Sequence, residues 1–150
     1  MSEAVETSYG TLTTVESGEF SGWRYWQGDP FETRSGPFFM KREADGSYLS
    51  AFRAEARHMN GGGFMHGGCL LTFADFALFA IATDELAGDH AVTLNLAGDF
   101  LGSVNPGALV EARGEVTRGG GKTIFVRGMV VGDGQPALSF TGIIRRLSRR

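Results

Sequence analysis

Hydrophobic positions dominate one long stretch in the middle of the chain. From Gly67 to about Leu86 most residues are apolar, and leucine and phenylalanine recur on every side of the helix that such a run would form. A helix that is apolar all round is typical of one buried within a protein, and Gly88 is a C-terminal stop signal. The pattern predicts one long buried helix.

Shorter segments on both sides of this helix carry the patterns of β-strands. In 48–59 the pattern alternates, with Phe52, Ala54 and Ala56 on one face and charged residues on the other, which predicts a half-buried antiparallel strand. Glycine-containing turns separate the later segments, as in hairpins. The predicted strands are 37–42, 48–59, 91–101, 109–118, 122–131 and 137–146.

This order predicts an α+β domain in which an antiparallel sheet of five to six strands wraps around one long central helix. The chain has 150 residues without an internal repeat or a linker, so we expect one domain over 1–150. Residues 1–19 are polar and aperiodic and are expected to be loosely ordered, whereas the aromatic segment 20–31 could cap one end of the core. One sheet covers a helix incompletely, so a dimer is expected.

Composition and charge narrow the functional classes. Hydrophobic residues make up 42% of the chain and the formal net charge is -3, which argues against disorder and against a nucleic-acid partner. The single cysteine precludes an intramolecular disulfide and favours a reducing, cytoplasmic setting. The N-terminus lacks the apolar core of a signal peptide. The apolar run 69–82 is shorter than the roughly 20 residues of a membrane span.

Asp75 is an acid in the middle of the apolar helix. It is the only charged residue between Arg57 and Asp84, and an ionised carboxylate among apolar side chains is costly unless it is paired, hydrogen-bonded or facing a cavity. Burial would raise its pKa, which suits a general base. A structural aspartate that is satisfied by a backbone amide or a partner hydroxyl fits the same pattern, so both interpretations stay open.

A glycine-rich turn, His66-Gly67-Gly68, opens the predicted helix. The first N–H groups of a helix have no intrahelical partners and lie at the positive end of its dipole. Glycines there let a ligand oxygen approach the backbone, so the turn could form an oxyanion site, or it could merely allow tight packing. Asn60, in the preceding loop, could donate to the same oxygen or act as an ordinary turn residue.

Other arrangements of polar residues are weaker candidates. His58 and His66 lack a third ligand nearby, so we expect no metal. Cys69 could pair with His66 on one helix face, although a buried free thiol is the usual case. The 119–123 run fails the phosphate-loop pattern, because Val116 stands where that pattern needs glycine.

The run from Asn60 to Asp75, with its His66-Gly67-Gly68 turn, resembles the phenylacetate-degradation-type (PaaI-like) branch of the hotdog-fold acyl-CoA thioesterases. That family has an Asn in a loop, a His-Gly-Gly at the helix start and an Asp on the helix at this spacing. The resemblance extends over about 37–146. It implies a hotdog fold and hydrolysis of an acyl-CoA to free coenzyme A and a carboxylic acid, with no metal or other cofactor.

The resemblance also implies a role for each matching residue. The Gly67 N–H and the Asn60 amide would polarise the thioester carbonyl, and Asp75 would activate the attacking water or, less readily, attack as a nucleophile. Thr93 would help to orient the water and Asp75. His66 would hold the loop and Asn60 in place and would not be the base.

Coenzyme A would lie along the surface near the 119–123 hairpin. Its contacts would come from Gly68, Gly121, Lys122 and Thr123, although a solvated lysine is the ordinary state of Lys122. In this family the acid and the oxyanion donors come from different subunits, so the resemblance implies a homodimer with sites across its interface, and often a dimer of dimers.

Two other functions fit the same fold. An enoyl-CoA hydratase of this fold pairs its acid with a His five residues later, where Ala80 stands here. A non-catalytic acyl-CoA binding or sensing protein would leave Asp75 with a structural role, but the joint presence of Asn60, Gly67, Asp75 and Thr93 disfavours it. The acyl group stays open, because the nearby phenylalanines suit an aromatic or an aliphatic tail equally.

Overall fold

The computed structural model describes residues 5–7 and 10–147. These residues form one antiparallel sheet of nine strands, three α-helices and a 3-10 turn at Ala56–His58. The strands are β1 (Val5–Thr7), β2 (Gly10–Thr14), β3 (Arg24–Trp26), β4 (Phe39–Arg42), β5 (Tyr48–Arg53), β6 (Ala91–Phe100), β7 (Leu109–Arg118), β8 (Thr123–Gly132) and β9 (Gln135–Arg146). The helices are α1 (Pro30–Ser35), α2 (Gly67–Ile81) and α3 (Thr83–Leu86).

The long helix α2 begins at the glycine-rich turn and is capped by a side chain. His66 Nδ1 accepts a hydrogen bond from the Gly68 N–H at 2.8 Å, which satisfies an amide that has no carbonyl partner within the helix. Between α2 and α3 the Thr83 hydroxyl donates to the carbonyls of Phe79 and Ala80, and such bonds compete with the regular helix pattern. The predicted helix over 67–86 is confirmed, with one interruption.

The sheet wraps around α2 in the strand order β1-β2-β3-β4-β5-β7-β8-β9-β6. The core between helix and sheet is aromatic. Phe38 contacts Phe73 and Phe76 at ring-centroid distances of 5.3 and 5.7 Å, and Phe52 contacts Phe73 at 4.8 Å. All four rings are at most 1% exposed, and burying each one stabilises the fold by about 1.5–3 kcal/mol. The structure therefore confirms the α+β class and the central helix.

The sheet has nine strands rather than the five to six predicted. The additional strands β1, β2 and β3 come from the N-terminal region, where strands of three to five residues are too short to show a reliable alternation. The strand predicted over 48–59 ends at Arg53, because His58 Nδ1 accepts the Glu55 N–H at 3.0 Å and the chain turns there.

Within the segment 1–19, which was expected to be loosely ordered, Gly10–Thr14 forms β2 and pairs with β3. Residues 1–4 and 8–9 lie outside the described residues. The aromatic segment 20–31 extends the sheet through β3, and its Trp26 ring packs against Phe76 of α2 at 5.2 Å between centroids. The short helix α1 begins only at Pro30.

Strand β6 lies at the end of the sheet and pairs with β9 on one side only, as far as the described residues show. Within residues 5–7 and 10–147, no helix has the length and apolar character needed to cross a membrane. The cytoplasmic location stays a prediction.

Candidate active site

Asp75 and Thr93 meet between α2 and β6. Thr93 Oγ1 donates a hydrogen bond to Asp75 Oδ1 at 2.7 Å. Burial raises the pKa of Asp75 above its ordinary value of 3.8, the Thr93 hydroxyl lowers it and the negative charge of Asp29 raises it, with a net upward shift. A carboxylate with a raised pKa accepts a proton from water more readily than an exposed one does. The structure thus brings together two of the residues that the resemblance selected.

A β-bulge in β6 brings the side chains of Thr93 and Leu96 to the same side of the strand. The pairing with β9 shifts between Thr93, which lies opposite Ile144, and Asn95, which lies opposite Ile143. In a regular strand residues 93 and 96 would point to opposite faces, but the extra residue of a bulge re-aims the side chains after it. Here Thr93 and Leu96 both line cavities that also contain Asp75.

The Asp75 carboxyl faces a cavity of about 230 Å³. A void of about 150 Å³ holds a benzene molecule, so this cavity has room for one ring or a short acyl chain. Its walls are partly apolar and partly acidic. The lining residues are Trp26, Asp29, Glu32, Asp75, Phe79, Val92 and Thr93.

Asp29 and Glu32 of the α1 region are cavity residues that the sequence reasoning did not select. Asp29 caps α1, because its Oδ1 accepts the Glu32 N–H at 2.9 Å. Burial, together with the charges of Asp29 and Asp75, raises the pKa of Glu32 to about 8. The sequence signal for α1 was the spacing Asp29-Pro30-x-Glu32, since an aspartate before a proline marks a helix start. Its meeting with Asp75 is a tertiary contact that no local pattern indicates.

The loop before α2 fixes the C-terminal end of α1. Arg57 donates through Nη1 to the Arg34 carbonyl and through Nη2 to the Gly36 carbonyl. His58 Nε2 lies 2.7 Å from the Ser35 carbonyl oxygen, and the His58 side chain is 5% exposed. The last carbonyls of a helix lack intrahelical partners, and here two side chains provide them. Arg57 and His58 therefore position the acidic wall of the cavity.

The N-terminus of α2 leaves one backbone donor free. The Gly68 N–H is taken by His66 Nδ1, and the Cys69 and Leu70 N–H groups donate to the His66 carbonyl. Among the residues that the structure describes, none accepts a hydrogen bond from the Gly67 N–H. This is the amide that the resemblance selected as an oxyanion donor. The Gly68 N–H, by contrast, serves the helix cap.

Asn60 is exposed and organises the loop before α2 by itself. Its Oδ1 accepts hydrogen bonds from the Gly62 N–H at 2.9 Å and the Phe64 N–H at 3.3 Å. With Oδ1 committed to the loop, the side-chain NH2 group is the part that can donate to a ligand. In the described part of the chain His66 makes no hydrogen bond with Asn60, and its Nδ1 caps Gly68. Its role in holding Asn60 in place stays a prediction.

Asp75 and Gly67 lie far apart along α2 within one chain. Both belong to α2 and are eight residues apart, which at 1.5 Å per residue is about 12 Å along the helix axis. A reacting carbonyl has to lie about 3 Å from its oxyanion donor and near the base. The single chain therefore holds the predicted base and the predicted oxyanion donor at separate places along the helix.

The 119–123 hairpin lies near the C-terminal end of α2, at the opposite end from Gly67. The Gly120 N–H donates to Glu85 of α3, and the Gly121 carbonyl accepts from Arg146 Nε at 2.9 Å. A Cβ added at Gly119 would lie 2.4 Å from Glu85 Cδ, so the Glu85 side chain would have to move. Lys122 is exposed and Thr123 half-buried. Their predicted contacts with coenzyme A stay predictions.

The alternative chemistry at Cys69 and at the histidines finds no support in the geometry. Burial raises the pKa of the Cys69 thiol to about 11, so at neutral pH it is protonated and a poor nucleophile. His66 Nδ1 is committed to the Gly68 N–H. Across residues 5–7 and 10–147, no three His, Cys, Asp or Glu side chains gather closely enough to hold a metal ion.

Comparisons with known proteins identify the family. The sequence model of the thioesterase superfamily matches residues 62–137, which include Gly67, Asp75 and Thr93. The candidate esterase PA0474 of Pseudomonas aeruginosa is 35% identical over 91 residues, which are 60% of this chain and 68% of that protein.

Solved structures share the fold. A variant of the phenylacetic acid degradation protein PaaI from Thermus thermophilus is 34% identical, with a TM-score of 0.68 over 79% of this chain and 100% of that one. A thioesterase-like protein from Streptococcus pneumoniae, solved with coenzyme A, is 19% identical, with a TM-score of 0.66 over 75% of this chain and 88% of that one. These likenesses confirm the hotdog fold and the resemblance to the PaaI-like branch.

Proposed function

Because the chain belongs to the thioesterase superfamily and is a thioester hydrolase, we propose that it hydrolyses acyl-CoA to free coenzyme A and a carboxylic acid. The hydrogen-bonded Asp75–Thr93 pair beside the 230 Å³ cavity carries the proposal. The coenzyme A in the Streptococcus pneumoniae neighbour supports this choice of leaving group.

In the proposed reaction Asp75 acts as a general base. It takes a proton from a water molecule, and the water oxygen attacks the thioester carbonyl carbon. The C–S bond then breaks, the acyl group leaves as a carboxylic acid, and the thiolate of coenzyme A takes up the proton. Thr93 keeps the remaining lone pairs of Asp75 oriented toward the water by holding Oδ1. A positioned base contributes about 10²–10⁴-fold to the rate.

The Gly67 N–H and the Asn60 side-chain amide are proposed to stabilise the oxyanion. The N–H lies at the positive end of α2, where developing negative charge is favoured. A Cβ added at Gly67 would lie 3.2 Å from the Phe100 ring, so this exposed ring would have to shift by a few tenths of an ångström. A single oxyanion donor is worth about 10²–10³-fold in rate. Thioesters are already activated, so a covalent triad is not required.

The two halves of the site are proposed to meet across a homodimer interface. Within one chain Gly67 and Asp75 are about 12 Å apart along α2, so the Gly67 that serves Asp75 has to come from a partner. Strand β6 carries Val92, Leu94 and Phe100 at 42, 55 and 54% exposure on an open sheet edge. Apolar residues on an open edge favour pairing with another strand. A second copy of this chain supplies both the partner strand and the missing donor.

Coenzyme A is proposed to lie along the 119–123 hairpin, with Gly68 of the partner near the thioester. Lys122 offers an exposed charge for a phosphate group. Because the hairpin and Gly67 of one chain lie at opposite ends of α2, the proposed ligand contacts the hairpin of one chain and Gly68 of the other. Assembly of two dimers into a tetramer stays a prediction.

The test is thiol release from a panel of short, long and aromatic acyl-CoAs by the wild type and by Asp75→Asn. The substitution keeps the size of the side chain and its hydrogen bonding but removes the base. We expect the wild type to cleave at least part of the panel and Asp75→Asn to lose about 10²–10⁴-fold in kcat while keeping the same thermal unfolding temperature. Equal rates for the two proteins would show that Asp75 is not the base.

The same panel separates the two rival functions. A non-catalytic binding protein would be stabilised against heat by coenzyme A but would release no thiol. An enoyl-CoA hydratase would consume crotonyl-CoA with loss of its enoyl absorbance. The hydratase is disfavoured because Ala80, at the position of its required histidine, is fully buried.

A further inference from the structure

The cavity beside Asp75 differs from an ordinary apolar acyl pocket in its charge. Three of its lining residues are acids, namely Asp29, Glu32 and Asp75, and none of its described lining residues is basic. The opposite walls come from Trp26 and Phe79, together with Val92. An acyl chain whose carbonyl carbon is attacked at Asp75 has to run into this space, so the charge of the walls acts on the acyl group directly.

Two of the three acids already have a local partner. The Asp29 carboxylate is committed to the Glu32 N–H as the cap of α1, and Asp75 is bonded to Thr93. The Glu32 carboxyl makes no hydrogen bond or ion pair with any described side chain or backbone group, although it is half-buried and lines two cavities with Asp75. Its polar end is therefore the one that meets the acyl group.

We propose that the acidic lining of this cavity, Glu32 together with Asp29 and Asp75, selects acyl groups by charge, so that the cavity accepts short uncharged acyl groups and rejects those that end in a carboxylate. This rests on the proposed thioesterase function. A terminal carboxylate would enter a partly dehydrated space beside ionised Asp75 and Asp29 with no cation to pair with. Like charges brought together in this way disfavour the wrong ligand strongly, by about 100-fold or more in specificity.

The protonation state of Glu32 fits this role. Because its pKa lies at about 8, at neutral pH it presents an uncharged carboxylic acid that tolerates an apolar chain. Above pH 8 it becomes a third negative charge. The groups that act on it are Asp29 at the start of its own helix and Asp75 on α2. Rejection of an anionic acyl group should therefore strengthen as the pH rises.

The experiment compares pentanoyl-CoA with glutaryl-CoA, which has the same chain length but ends in a carboxylate. For the wild type we expect kcat/KM to favour pentanoyl-CoA by about 100-fold at pH 7. Glu32→Lys places a cation at this point and should reduce the ratio at least about tenfold. Thr33→Lys adds the same charge to the same helix at an exposed position that does not line the cavity, and it should leave the ratio unchanged.

A second measurement tests the proposal even if the Glu32→Lys variant does not fold. Between pH 7 and pH 9 the wild-type ratio should increase as Glu32 loses its proton, whereas the ratio for Glu32→Gln should stay flat. Three results would overturn charge selection while leaving the thioesterase function intact. They are equal use of the two substrates by the wild type, equal shifts of the ratio by Glu32→Lys and Thr33→Lys, and a wild-type ratio that does not change with pH. Absence of hydrolysis of every uncharged acyl-CoA overturns both.

Discussion

At the scale of single residues, the pKa of Asp75 is set by opposing contributions. Burial and the charge of Asp29 raise it, and the Thr93 hydroxyl lowers it by bonding the ionised form. A base works only when it is ionised, so the rate should fall as the pH drops through this raised pKa. The acid limb of the pH–rate profile therefore lies above the ordinary aspartate range near 3.8.

Removal of the Thr93 hydroxyl should move that acid limb. Thr93→Val keeps the shape of the side chain but loses the bond that favours the ionised carboxylate, so the pKa of Asp75 rises and the limb of kcat/KM shifts to higher pH. Thr93→Ser keeps the hydroxyl and serves as the control, with a limb close to that of the wild type. A limb that does not move in Thr93→Val would show that the hydroxyl does not act on the titrating group.

The sequence allowed some residues of the site to be predicted and gave no signal for others. Asp75 and Gly67 stood out because a charge in an apolar helix and a glycine turn at its start are visible in one segment, whereas Thr93 was selected only through the family resemblance. Glu32 did not stand out, because its meeting with Asp75 depends on the packing of α1 against α2 and not on any spacing between neighbours in sequence.

At the scale of elements, the N-terminus of α2 permits a substitution that removes one N–H group. Gly67 is the first residue of α2, where proline is favoured because this N–H has no helical partner. His66 before it has φ -60 and ψ 134, the extended conformation that a residue before proline prefers. Gly67→Pro should therefore keep the helix while deleting the proposed oxyanion donor.

We expect Gly67→Pro to lose about 10²–10³-fold in kcat relative to Gly67→Ala. The alanine variant is the matched control, because it keeps the N–H and introduces the same close contact of a Cβ with the Phe100 ring. Circular dichroism and thermal unfolding of both variants check the helix. Equal kcat values for the proline and alanine variants would remove the Gly67 N–H from the mechanism.

The packing of helix α1 against the rest of the protein should be less stable at high pH. The pKa of Glu32 is about 8 in the folded protein, compared with an ordinary value of 4.5, so the folded state holds the proton more tightly. The stability gained from this bound proton is fully present below pH 4.5 and is lost as the pH rises toward 8. Glu32→Gln cannot ionise and should escape that loss.

Thermal unfolding should show this difference. At pH 9 Glu32→Gln should unfold at a higher temperature than the wild type, and at pH 5 the two should unfold at similar temperatures. An identical difference at both values of pH would mean that Glu32 does not titrate between the folded and unfolded states in this range. The size of the effect is reduced by solvent, because Glu32 is only half-buried.

Helices and strands could be predicted from the sequence where their hydrophobic pattern continues over many residues. The strands β6, β7 and β9 each span ten to twelve residues and were predicted close to their observed bounds, as was α2. The strands β1 and β3 have three residues each, which is too few for a period of two to be distinguished from irregular chain. Their place in the sheet is decided by pairing with β2 and β4.

At the scale of the whole molecule, the single chain leaves one side of its central helix only partly covered. Its helix is apolar on nearly all sides, but the stripe Leu71, Thr72, Asp75 and Phe79 is only half-buried by its own sheet and by α1. The edge strand β6 exposes apolar side chains next to this stripe. The sequence could predict that one sheet covers such a helix incompletely. It could not show that the uncovered stripe is the one that carries the acid.

The central claim is that Asp75 of one chain works with Gly67 of another, and purified heterodimers test it directly. One chain carries Asp75→Asn and the other Gly67→Pro, with different affinity tags so that only the mixed dimer is isolated. Each parent homodimer should be nearly inactive toward acyl-CoA.

If the sites lie across the interface, one site of the heterodimer combines both substitutions and the other is intact. The heterodimer should then recover about half of the wild-type activity, as expected for one working site of two in a symmetric dimer. If each chain holds a complete site, both sites carry a lesion. A heterodimer as inactive as its parents, with unchanged folding and dimer mass, would contradict the account.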